Sequence, residues 1–103
     1  MARVEFTQEK VKLTAYLIGE IDHHGAWQVR DEIDSQILKL MPRIVIINFS
    51  KVSFVDSSGI GLVLARNKFC QDCGSKLYVE GVNRQTGRIL ALAGIKTIQD
   101  ISV

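Results

Sequence analysis

A short run of β-branched residues, Ile44-Val45-Ile46-Ile47, is followed closely by Asp56-Ser57-Ser58-Gly59 and then by an apolar helical pattern. No other feature constrains the fold as much. A continuous apolar run of this kind has the look of a central strand buried on both faces. Asp-Ser-Ser-Gly punctuates the chain, and Ile60, Val63 and Leu64, with Asn67, are expected on the inner side of a helix. A buried strand feeding into an amphipathic helix is half of a parallel β-α-β crossover. The turn between them can present a hydroxyl at a helix N-terminus, where backbone N–H groups and the helix dipole favour negative charge. A serine there is suited to be a nucleophile, a phosphate ligand or a phosphate acceptor. These are three different functions.

The flanking segments extend the same architecture. Val11 to Leu17 alternates as a half-buried strand does, and Val4 to Thr7 is expected to pair with it across Gln8-Glu9-Lys10. Gly19 is expected to end this unit and Asp22 to cap a helix. In that helix Ala26, Val29, Ile33, Ile37 and Leu40 recur at helical spacing until Pro42. Gly74 stops the second helix, and Leu77-Tyr78-Val79 reads as a further strand. Asn83 is expected to cap a third helix containing Ile89, Leu90 and Leu92, closed by Gly94, before a last strand from Thr97 to Ile101. The order β-β-α-β-α-β-α-β predicts a single α/β domain over residues 1–103, with helices packed on a mostly parallel central sheet. Sites in such sheets form beyond the carboxyl ends of the strands. Gly19–His24 and Asp56–Gly59 each follow a strand and start a helix, so they are expected as neighbours on one edge.

Composition removes several function classes. A chain of 103 residues, 47% hydrophobic and 23% charged, fits one ordinary soluble domain. Its net charge of +2 comes with Lys and Arg scattered rather than in a stripe, which argues against direct nucleic-acid binding. No apolar segment approaches the ~20 residues that span a bilayer. Met1 to Phe6 lacks the apolar core of a signal peptide, so a cytoplasmic setting without membrane attachment is expected.

The motifs exclude several chemistries. Cys70-Gln71-Asp72-Cys73 has the spacing of a dithiol or of half a zinc site. A helix C-terminus raises thiol pKa rather than lowering it, and His23 and His24 lie far off in sequence. Reduced, buried or half-buried thiols closing a helix are expected, with no metal. The esterase elbow Gly-x-Ser-x-Gly is absent, because Val55 stands at its first glycine, and no histidine follows residue 24. His23 can still approach Ser57 in space, but a domain this small offers little substrate pocket. Gly59-Ile60-Gly61 lacks the third glycine of a dinucleotide fingerprint. Gly81 to Arg88 has Arg where a phosphate loop needs Lys. No catalytic residue and no cofactor are assigned, and the chain is expected not to be an enzyme.

With these motifs in view, the whole chain resembles a stand-alone STAS domain of the bacterial anti-sigma factor antagonist (anti-anti-sigma factor) type. Gly19-Glu20-Ile21-Asp22-His23-His24, Ile44 to Asn48 with Val52 to Gly61, and Leu77 to Val79 with Arg88 to Leu90 and Ala93 to Ile95 carry the resemblance. It implies the STAS fold, and it implies that Ser57 is phosphorylated by a partner anti-sigma factor, a Ser/Thr kinase that supplies the ATP. The unphosphorylated domain would bind the kinase and free its sigma factor. The phosphorylated domain would let go until a metal-dependent serine phosphatase resets it.

The same resemblance places Asp22, His23, Asp56, Ser57, Ser58, Gly59 and Gly61 on the partner-binding edge. Asp56 is expected both to cap its helix and to position Ser57, and Ser58 to be a first-turn residue rather than the acceptor. Gly59 and Gly61, poor helix formers, are expected to let a partner or a neighbouring strand approach closely. Family members commonly continue into a C-terminal helix, which here is absent or truncated, leaving sheet surface for a homodimer or a partner. The alternative within the fold is a STAS interaction module regulating another assembly: a secretion, signalling or lipid-transport complex.

Overall fold

The connection at the N-terminus is tighter than the sequence suggests. In the computed structural model, which describes residues 1–98, Glu9 pairs with Lys12, so only Lys10 and Val11 form the turn. Lys10 takes a left-handed φ of 55° there. The strands joined are β1 (Ala2–Glu9) and β2 (Lys12–Ile21). Gly19 does not end β2; it lies inside it with φ 100°, beside a register irregularity, and the strand runs on to Ile21. There follow α1 (His23–Leu40), β3 (Ile44–Val55), α2 (Ser57–Asp72), β4 (Lys76–Glu80), α3 (Arg84–Leu92) and β5 (Lys96–Ile98). Ile101 and the question of a C-terminal helix lie outside the described residues.

The sheet order is β1-β2-β3-β4-β5, antiparallel at β1–β2 and parallel thereafter. Strand alternation sorts its rows. Phe6, Ala15, Ile47 and Val79 are laterally aligned, as are Leu13, Val45 and Leu77, and all face the helices. These rows pack against Val29, Ile33 and Ile37 of α1, Val63 and Cys70 of α2, and Leu90 of α3. The row between them, Thr7, Thr14, Ile46 and Tyr78, belongs to the opposite face. Successive parallel strands placed side by side, with crossovers of one hand, leave all three helices on one face.

The inner face of α2 differs from expectation. On α2 the buried residues are Gly59, Leu62, Val63 and Cys70, whereas Ile60 and Asn67 are half-buried and Leu64 is exposed. The rotation is set at the N-terminus, where Gly59 presses against Ile21 and Val55. On α3 only Thr86 and Leu90 face inward. The helix covers the sheet's edge with a single i, i+4 stripe, which leaves Ile89 exposed and Leu92 91% exposed.

β3 is also longer than its apolar core. It pairs with β4 only from Ile44 to Asn48, while its far half, Lys51 to Val55, is flanked by β2 alone. This overhang carries the chain to Asp56. Central burial makes Ile47→Ala costly, about 2–5 kcal/mol, while Leu92→Ala is expected to change stability by less than about 0.5 kcal/mol. Urea denaturation of the two variants checks both the register and the orientation of α3.

Candidate functional site: two capped helix ends and an exposed serine

Both helix starts are built the same way. Asp22 sits in extended conformation and its Oδ1 accepts from the Gly25 N–H at 2.8 Å. Asp56 is likewise extended, and its Oδ1 accepts from the Ser58 N–H at 2.8 Å. A short carboxylate at this position satisfies a backbone donor that the helix itself leaves open. The Gly25 N–H holds the Asp22 carboxyl below its ordinary value of 3.8, against a smaller opposing effect of burial. Its contribution to stability is therefore present above that value and is lost as pH falls through the lowered one.

The two ends are neighbours, as the strand order requires. Ile21 and Val55, the last residues of their strands, are in register, and the Asp56 N–H donates to the Ile21 carbonyl at 3.4 Å. Ser57 is the first residue of α2 and is exposed. Among the described residues its hydroxyl has no hydrogen-bond partner, so no base is poised on it. Asp56 caps the helix as expected, and Ser58, half-buried, gives its N–H to that cap. His23 is the first residue of α1, exposed, and lines a cleft of about 250 Å³ together with Ser58 and Gly61. His24 is exposed as well.

The two glycines part company. A Cβ on Gly59 would overlap Val55 Cγ2 and come within 3.0 Å of the Ile21 carbonyl oxygen, so a neighbouring strand requires it. A Cβ on Gly61 would meet nothing within 4 Å. Sequence reasoning missed Trp27, which is 60% exposed on the far wall of the same cleft with the Arg30 guanidinium 5.3 Å from its ring centre. An aromatic at a position adjacent to the apolar helical stripe was the available signal. Behind the cleft, Arg66 Nε lies 2.8 Å from Asp34 Oδ1 and ties α2 to α1. The contact is ionic rather than a well-aligned hydrogen bond. Burial pushes the Asp34 carboxyl up, and Arg66 opposes it.

A larger cleft of about 750 Å³, with Asn48, Glu80, Arg84 and Arg88 among its lining, lies toward α3 and includes neither Ser57 nor Ser58. Size does not make it the site, since a surface read by another protein needs no deep pocket. Among the described residues no group of three or more His, Cys, Asp or Glu is arranged to hold a metal ion, and no helix is long and apolar enough to cross a membrane.

Residues 4–102 match the family model described as the STAS domain. The chain therefore belongs to the STAS domain family. Within it, the chain is 30% identical over 99 residues to the anti-sigma F factor antagonist of Paenibacillus polymyxa, covering 96% of this chain and 85% of that one. The solved structure of the anti-sigma factor antagonist SpoIIAA in its unphosphorylated form superposes with a TM-score of 0.75 at 26% identity, covering 95% of this chain and 88% of that one. The phosphorylated form of the Bacillus cell fate determinant SpoIIAA gives a TM-score of 0.77 at 24% identity, covering 97% and 93%, and shares the fold. The antagonist branch of the family is where this chain stands.

One pair of variants and one labelling experiment test the local chemistry. Gly59→Ala is expected to destabilise by about 1–3 kcal/mol, the usual cost of overpacking, whereas Gly61→Ala stabilises by up to about 1 kcal/mol through helix propensity. Thermal unfolding separates them. Burial pushes the Cys70 thiol from its ordinary 9.0 to about 12, while Cys73 is only half-buried. A thiol reagent at pH 8 is expected to label Cys73 in the native protein and to reach Cys70 only on unfolding, read by peptide mass spectrometry. Because the folded value is raised, the neutral thiol's contribution to stability is full below pH 9 and disappears as pH climbs toward about 12.

Proposed function

We propose that this domain is a phosphorylation-switched antagonist: unphosphorylated, it binds an anti-sigma Ser/Thr kinase and frees the sigma factor, and phosphate on Ser57 ends that binding. The observation that carries the reading is the exposed Ser57 at the first position of α2, beside Asp56, whose carboxylate caps that helix. The kinase brings ATP, a metal-dependent serine phosphatase removes the phosphate, and both act in the cytoplasm. Asp22, His23, Ser58 and Gly61 share that edge and form the surface the kinase reads, while Gly59 serves it from within by seating α2.

The physics favours a local switch. A phosphate at the helix N-terminus is tolerated by the fold, with about 0.3–1 kcal/mol of dipole stabilisation. At an interface its charge of roughly −2 must be desolvated or faces like charge. A penalty of about 4 kcal/mol weakens binding roughly a thousandfold. Both the unphosphorylated and the phosphorylated SpoIIAA structures keep the fold of this chain, at TM-scores of 0.75 and 0.77, which supports a switch without refolding.

Incubation with the host's anti-sigma kinase and ATP, followed by mass spectrometry, is expected to place one phosphate on Ser57. Ser57→Ala should bind the kinase constitutively and Ser57→Asp weakly. Phosphate on Ser58 instead, or none, overturns the assignment.

A further inference from the structure

Gly61 is the residue of α2 that nothing inside the domain explains. It lies in a helix interior, where glycine is a poor choice, and a side chain there would meet open space. A missing side chain that serves no internal neighbour serves an external one. Across the cleft stands Trp27, the chain's only tryptophan, exposed yet with Arg30 stacked on its ring. A rigid aromatic with little rotamer freedom to lose is the usual anchor of a protein interface. Leu62 and Ala65 complete an apolar floor, and the charged side chains lining the cleft, Arg30 and Arg66, are both basic. Arg66 is engaged by Asp34 at 2.8 Å, while the Arg30–Asp31 contact, at 3.5 Å, is well exposed and weak.

We propose that this α1–α2 cleft receives an apolar segment of the kinase that carries a carboxylate. The apolar part packs between the Trp27 ring and the bare backbone of Gly61, and the carboxylate meets Arg30. The proposal rests on the kinase being the partner, as above. It adds a reason for release: Ser58 lines the cleft, and a phosphate on Ser57, the residue before it, brings about two negative charges to the same helix start and repels an acidic occupant.

The test uses the intact chain labelled with 5-fluorotryptophan at its sole tryptophan, titrated with the unlabelled kinase and ADP. The expected result is a shifted Trp27 fluorine resonance in the complex. Gly61→Ala should melt up to about 4–8 °C higher yet bind at least ~10-fold more weakly, a loss of ~1.4 kcal/mol in binding. Arg30→Glu should weaken binding by a similar factor and reduce its salt dependence. Tight binding with an unmoved resonance and an unchanged Gly61→Ala affinity overturns the cleft while leaving the kinase reading intact. A wild-type chain that does not bind the kinase overturns both.

Discussion

The contact of Gly59 with Ile21 and Val55 determines how the rest of the domain is presented. Two strand ends and a helix start meet there with no room for a methyl group. Because the meeting is so close, α2 has one permitted rotation, with Leu62, Val63 and Cys70 inward and Ser57 outward. The same contact holds the start of α2 beside the start of α1, so residues from distant parts of the chain form one surface. A larger residue at Gly59 would move Ser57 and the cleft together.

Much of this was legible from the chain. Element order, the caps Asp22, Asp56 and Asn83, and the adjacency of the two helix starts follow from local rules of strand, turn and helix, and the structure agrees with each. What was not legible depended on distant partners. Of the α2 face expected at Ile60, Val63, Leu64 and Asn67, Val63 is buried and Leu64 is exposed, because helical periodicity alone gives no phase when apolar residues occur all round. The tertiary contact at Gly59 supplies the phase. Gly19 looked like a terminator because glycine usually punctuates, yet within β2 it accommodates a left-handed φ where Met1 passes close by. Leu92 is exposed although apolar, because this edge helix has only one covered stripe.

The candidate site divides in the same way. Ser57 and Asp56 are marked by a motif and by its position between strand and helix. Trp27 is not in any motif; it became visible only when α1 and α2 were seen side by side. The differing reasons for Gly59 and Gly61 were equally hidden, since two glycines two residues apart look alike until each one's surroundings are known.

The one-sided placement of the helices has an electrical consequence. Because β2 to β5 run parallel and each crossover returns on the same face, α1, α2 and α3 all begin at one edge of the sheet, capped by Asp22, Asp56 and Asn83. Each start carries about half a positive elementary charge from its aligned peptide units. The rim is thus polarised by the backbone itself, whatever side chains decorate it. One phosphoryl group of roughly two negative charges outweighs that polarisation locally. Modification at this edge therefore adds about two negative charges beside two carboxylate caps whose charge the helix starts only partly offset, and an approaching protein meets a far more negative rim.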